Sequence, residues 1–307
     1  MRIFLTGATG LIGRRFVADR VARGDDLTIV SRDAQRARDT VLGGDGPAPD
    51  VVEADLRQPG DWQKRVDGCD AVVHLAGAGV ADRRWTRGYR TLIVDSRLES
   101  TRHVVEAIER AGTRPRILVN ASAAGYYGER GDTALDETEA AGNDFLAELC
   151  VQWETTAARA ADGATRAVML RTSVVLDPRG GALARMLPIF RLGLGGPLGS
   201  GRQYLPWIHW RDVVGLINLA LADDTLSGPL NVAAPEAVTN RQFTTTLGGV
   251  LHRPAVLPVP VLALRVVMGE MGRYVVASQR VVPLGASRHG YTFAFERLRP
   301  ALEDLLG

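Results

Sequence analysis

An apolar strand pattern, Arg2-Ile3-Phe4-Leu5, runs directly into Thr6-Gly7-Ala8-Thr9-Gly10-Leu11-Ile12-Gly13, and helical spacing continues from Leu11 to Arg23. A strand, three glycines at this spacing and a helix leave few folds open. Gly7 permits the tight turn, Gly10 lets a bound group come close to the backbone, and Gly13 lets the helix pack against the sheet. The N-terminus of such a helix offers amide donors and a positive dipole end to phosphate. Gly7, Thr9, Gly10, Leu11, Ile12 and Gly13 are therefore candidate contacts for the pyrophosphate of a dinucleotide.

The pattern after this motif keeps alternating. Strands are expected at Leu27–Val30, around Val51–Val52, and at Ala71–Leu75, Arg116–Asn120 and Ala167–Leu170. Helices are expected at Leu92–Ala111 and Phe145–Ala161. Strands and helices in this alternation predict an α/β fold, a Rossmann-type doubly wound parallel sheet. Gly and Pro become dense over Asp177–Pro206, which reads as loops with short elements facing a substrate. Trp207–Ala222 reads as strand then helix, and Leu230–Val232 as one more sheet strand. The expected division is a dinucleotide-binding domain of residues 1–176 and 207–234, with a smaller, discontinuous substrate domain of residues 177–206 and 235–307.

The end of the second strand bears on which cofactor is held. A carboxylate there would bind the ribose 2′-hydroxyl of NAD. Here the strand end reads Ser31-Arg32, a hydroxyl and a guanidinium that suit the 2′-phosphate of NADP(H). Asp33 follows at once, so the argument depends on the register of one residue. Asp55 ends the third strand, placed to meet adenine, and His74-Leu75-Ala76 ends the fourth, where backbone can line the cofactor.

A net charge of +2 gives no ground for nucleic-acid or membrane binding. The two cysteines, Cys69 and Cys150, stand in no motif, so a reducing compartment is the simpler reading. No signal peptide or membrane span is legible, and a cytoplasmic protein that takes a small-molecule substrate, as monomer or homodimer, is expected. No cluster has metal-ligand spacing. Lysine occurs once, at Lys64, against 36 arginines.

Taken together, these residues resemble the extended short-chain dehydrogenase/reductases. The likeness continues through Ser122, Arg171 and Trp207–Asp212. It narrows at Ala76–Trp85, Asp95–Arg97, Ser122–Gly128, Phe190–Gln203 and Ser278–Pro283. That set looks like an atypical subfamily, NAD-dependent epimerase/dehydratase-like, with a short C-terminal domain of unknown function. The resemblance implies that Ser31 and Arg32 meet the 2′-phosphate. It also implies that His74, Leu75, Arg97 and Val175 contact the cofactor.

The family's proton chemistry uses a helical Tyr and Lys four residues apart. In this chain the matching window puts Leu146 and Cys150 at those positions, or Ala147 and Val151 one residue on, and the only lysine lies elsewhere. Arg97 stands where the family has asparagine. Ser122 remains, and Tyr126 and Tyr127 stand beside it, so these three are the candidate catalytic residues. Glu137 and His209 read as a solvated loop carboxylate and a structural histidine. The leading reading is an NADP(H)-dependent oxidoreductase or epimerase-like enzyme on a small polar or carbonyl substrate. Alternatives are a non-catalytic NADP(H)-binding sensor or scaffold, and a non-redox lyase or isomerase.

Overall fold

The computed structural model describes residues 1–41 and 48–307. Seven strands form one parallel sheet: β1 (Arg2–Thr6), β2 (Asp26–Ser31), β3 (Asp50–Glu53), β4 (Ala71–His74), β5 (Ile117–Ala123), β6 (Arg166–Thr172) and β7 (Gly228–Val232). Their order across the sheet is β7-β6-β5-β4-β1-β2-β3, and every neighbouring pair is parallel. The chain winds outward from β1 to β3, then crosses back to β4 on the other side of β1. Ligands in such sheets bind beyond the carboxyl ends of the strands where the winding reverses, here between β1 and β4.

Helices cover both faces. The first three are α1 (Leu11–Ala22), α2 (Ala34–Val41) and α3 (Arg87–Arg110). The next three are α4 (Phe145–Ala158), α5 (Gly181–Arg191) and α6 (Trp210–Ala222). Phe16 and Val17 of α1 and Ile217 and Ala220 of α6 bury against one face, with Ile3, Leu5, Ile29 and Val119. Val104, Val105 and Ile108 of α3 and Ala157 of α4 bury against the other, with Phe4, Val72 and Leu118. The alternating faces of β1 thus feed two cores, as the period-two geometry of a strand requires.

A third core lies beyond the sheet. It joins α5 (Leu183, Leu187, Phe190) to α7 (Asn240–Val250) and to the C-terminal helix Leu298–Leu306 through Phe243, Leu247, Leu298 and Leu302. The expectation of loops over Asp177–Pro206 misses α5, which forms despite its internal Pro188 because Leu183, Leu187 and Phe190 share one buried face. The long helix begins at Arg87 rather than Leu92, since the Thr86 hydroxyl accepts the Tyr89 N–H and caps it there. The strand Trp207–His209 stands outside the main sheet and pairs with Val174–Leu176.

Candidate functional site

The turn after β1 is built by close contact. Gly7 has φ +74°, and a Cβ there would lie 2.6 Å from the Leu75 carbonyl carbon at the end of β4. On Gly13 a Cβ would overlap the Gly7 carbonyl oxygen and come within 2.7 Å of the Ala8 Cα, so α1 rests directly on the turn. Gly10 differs: φ is −74°, and a Cβ would meet only the Gly7 oxygen at 3.2 Å. Gly10 is the N-cap of α1 and supplies no side-chain acceptor to the first amides of the helix. The donors of Leu11, Ile12 and Gly13 thus stand at an end that suits an anion.

The ends of β2 and β3 settle the register that the sequence left open. β2 stops at Ser31, and Arg32 is exposed. Ser31 Oγ donates to the Asp33 carbonyl at 3.0 Å. The Asp33 carboxylate accepts the Arg36 N–H at 2.9 Å in the first turn of α2, so it serves as a cap. Asp55 is forked by Arg57 at 3.1 and 2.5 Å, and this hydrogen bonding holds its carboxyl below the usual range, with Arg32 adding to the effect.

His74 turns its side chain into the fold, which leaves only its backbone at the end of β4. Its side chain is fully buried, with Nδ1 2.7 Å from Thr6 Oγ1 and Nε2 at 3.2 and 3.1 Å from Ser100 and Thr101. Burial pulls its pKa down to about 3, so the ring is neutral and ties β1 and β4 to α3. The backbone of Leu75 and Ala76, not the imidazole, faces the glycine turn. Arg97, on α3, lies against the segment after β4, with its Cζ 3.4 Å from where a Gly77 Cβ would be. Its Nη1 donates to the Ala78 and Ile93 carbonyls, and its guanidinium stands 5.1 Å over the Trp153 ring. Burial lowers its pKa from the ordinary value, a sign of a cation partly withdrawn from water. Val175 lies in the strand Val174–Leu176, just before the Asp177–Gly181 turn that crosses the start of α1. There Gly180 approaches Leu11, Arg14 reaches the Arg179 carbonyl, and Arg15 pairs with Asp177 at 2.7 Å.

Ser122 ends β5 under α4. Its Oγ donates to Glu154 at 2.6 Å, and Glu154 accepts Nε and Nη2 of Arg171 at 3.0 and 2.9 Å. Burial opposes the Arg171 charge, yet the Glu154 hydrogen bonds outweigh it and raise the pKa. Three residues of α4 turn toward this strand end. Leu146 packs near Gly125, Cys150 Sγ is 3.8 Å from the Ala123 carbonyl, and Glu154 holds Ser122. Val151 is exposed, so of the two registers the face carries Leu146 and Cys150. Burial pushes the Cys150 thiol up to about 12.

The two tyrosines part company. Tyr127 is 0% exposed, and its hydroxyl donates to Asn231 Oδ1 at 2.7 Å and accepts from Arg171 Nη1 at 3.0 Å. Burial pushes its hydroxyl up to about 12. The expectation that it faces a substrate is corrected: the turn after β5 rolls its ring inward. Tyr126 is half-buried, with its ring stacked on Arg171 at 3.5 Å. Glu137 is no solvated carboxylate either, for its Oε1 accepts the N–H groups of Asn231 and Gly285. His209 is fully buried and caps α6 by accepting the Arg211 N–H at 3.1 Å. Residues that the sequence reading missed are Glu154, visible only once α4 is docked, and Arg15 and Asp177, which join segments 162 positions apart.

Sheet order, glycine turn and uncapped helix define a dinucleotide-binding α/β protein. The chain belongs to the NAD dependent epimerase/dehydratase family, which residues 3–233 match, while residues 259–305 match a domain of unknown function, DUF1731. It is 38% identical, over its whole length and 87% of the relative, to the epimerase family protein SDR39U1 homolog, chloroplastic, of Arabidopsis thaliana. With an epimerase family protein of Mycobacterium bovis it shares 39% identity over 98% of this chain and 96% of that one. The crystal structure of human epimerase family protein SDR39U1 with NADPH superposes with a TM-score of 0.89, at 35% identity and 99% coverage of both chains. No helix among the described residues is long and apolar enough to cross a membrane.

Proposed function

We propose that this chain binds NADP(H) at the β1/β4 switch point and acts as an oxidoreductase or epimerase-like enzyme on a small polar substrate. The observation that carries the cofactor choice is the end of β2, where Ser31 and exposed Arg32 follow the strand while the Asp33 carboxylate is turned to cap α2. The α1 amides from Gly10 to Gly13 would hold the pyrophosphate, and Ser31 and Arg32 the 2′-phosphate. Asp55, the Leu75–Ala76 backbone, Arg97 and Val175 would line the rest. The human relative crystallised with NADPH supports the same choice. Such a cofactor supplies a hydride donor or acceptor when bound. The substrate cleft is the space between the carboxyl edge of the sheet and residues 177–206 with 235–307, the smaller of two units. Ser122 and Tyr126 flank the reacting position, and Arg171 orients both.

Arg32→Ala tests the assignment by calorimetry. Losing a charge-assisted phosphate contact costs ~1.5–3 kcal/mol, about one to two decades in affinity. NADPH binding is expected to weaken by that amount and NADH binding to change little; equal losses would refute it. The face of α4 also favours a second reading, a protein that holds NADP(H) without turnover, because Leu146 and Cys150 give it no proton carrier at neutral pH. Hydride exchange from NADPH across a carbonyl and alcohol panel separates the two.

A further inference from the structure

A serine hydroxyl has one proton to give and two lone pairs to receive. The proton of Ser122 is committed to Glu154 at 2.6 Å. Glu154 has none to return: its two oxygens accept Nε–H and Nη2–H of Arg171 at 3.0 and 2.9 Å, and a carboxylate in such a fork is acceptor-only. What Ser122 has left for a ligand is lone pairs. The groups packed on Ser122 itself offer little in its place, which leaves the Tyr126 hydroxyl, its ring stacked on Arg171, as the donor on the far side of the reacting position. Leu146 has none, the buried Cys150 thiol is a weak donor already directed at Ala123, and the Tyr127 proton is taken by Asn231.

We infer that Ser122 is a specificity-determining acceptor, selecting a substrate hydroxyl or protonated amine and disfavouring a carbonyl oxygen at that position. This rests on the reading that a small-molecule substrate lies beside NADP(H) in the cleft. A carbonyl oxygen placed at Ser122 Oγ would face another oxygen with no proton between them. The missing hydrogen bond corresponds to a preference of roughly tenfold or more for the alcohol. Glu154 and Arg171 act as positioning residues, fixing the direction in which the Ser122 proton points.

Neutron diffraction on deuterium-exchanged crystals of the full chain with NADP⁺ tests this without any variant. The expected map shows one deuteron on Ser122 Oγ directed at Glu154 and none on the Glu154 carboxylate. A deuteron on Glu154, or a Ser122 deuteron turned into the cleft, overturns the inference. The same crystals soaked with 2-propanol or acetone at matched concentration give a second readout. A 2-propanol oxygen within hydrogen-bond distance of Ser122 Oγ, at roughly tenfold the occupancy of acetone, supports it, and an acetone oxygen bound there equally well overturns it. The deuteron does not depend on turnover. Failure of the oxidoreductase reading would appear separately, as absent hydride exchange with an unchanged neutron map.

Discussion

Gly10 and Gly13 lie one turn apart in α1 and face opposite demands. Gly13 has no room for a side chain on its protein side, and Gly10 meets only one protein oxygen. Gly13→Val is expected to disrupt the β1–α1 turn and lower the thermal midpoint sharply. Gly10→Val is expected to fold, with near-native circular dichroism, and to lose NADPH binding because the side chain fills the space of the pyrophosphate. Unchanged NADPH affinity in Gly10→Val would show that the cofactor lies elsewhere. The glycines were legible in the sequence because each role follows from a missing side chain at a known place in a strand–turn–helix. Tyr126 and Tyr127 were not distinguishable. Adjacent residues after a strand point to different sides, and only the docked turn decides which ring goes inside. Tyr127→Phe leaves the Asn231 oxygen without its partner and is expected to cost about 1–3 kcal/mol in urea unfolding.

At the scale of elements, the decisive contact is between β5, β6 and α4. Ser122, Arg171 and Glu154 come from these three, and the register pairs Ser122 directly with Arg171. Glu154 and Arg171 are both buried. Removing one member of a buried ion pair leaves an uncompensated charge, so Glu154→Ala is expected to destabilise by about 3–5 kcal/mol. The double change Glu154→Leu with Arg171→Met should recover much of that, since no charge remains unpaired. Chemical denaturation of the two variants checks this, and a double variant no more stable than Glu154→Ala would contradict it. The helix itself was legible from its spacing over Phe145–Ala161. Its rotation about its own axis was not, so nothing in the sequence marked Glu154 as the partner of Ser122.

Over the whole molecule, two buried histidines predict how stability responds to acid. Burial lowers the His74 pKa to about 3 and the His209 pKa to about 4, from an ordinary value of 6.5. For His209 the Asp304 charge opposes the shift. Both rings are neutral in the fold and bind a proton when the chain unfolds in acid. Their contribution is therefore complete above about pH 6.5 and declines as the pH falls toward 4, by up to ~1.4 kcal/mol per unit for each. Urea titrations at stepped pH check the slope, and His74→Asn should make it shallower. The C-terminal segment is joined to the sheet. Phe293 and Ala286 lie in the first core, and Asp212 at the start of α6 accepts the Ala294 and Phe295 N–H groups at 2.7 and 3.1 Å. Deleting residues 259–307 is expected to expose that core and abolish the cooperative transition in calorimetry. A sharp transition in the shortened chain would show a free-standing dinucleotide domain.

Short-range rules were enough for the parallel sheet, the glycine turn and the cofactor class. Each of these depends on residues within one strand–turn–helix unit, where periodicity and backbone geometry act over a few positions. The tertiary structure alone decided that Asp33 caps a helix, that His74 is a neutral tie and that Glu137 clamps two backbone amides. It also decided that the Ser122 hydroxyl donates its hydrogen bond to Glu154. A polar side chain's role depends on which partner satisfies it once water is excluded, and those partners arrive from elements far away in the chain.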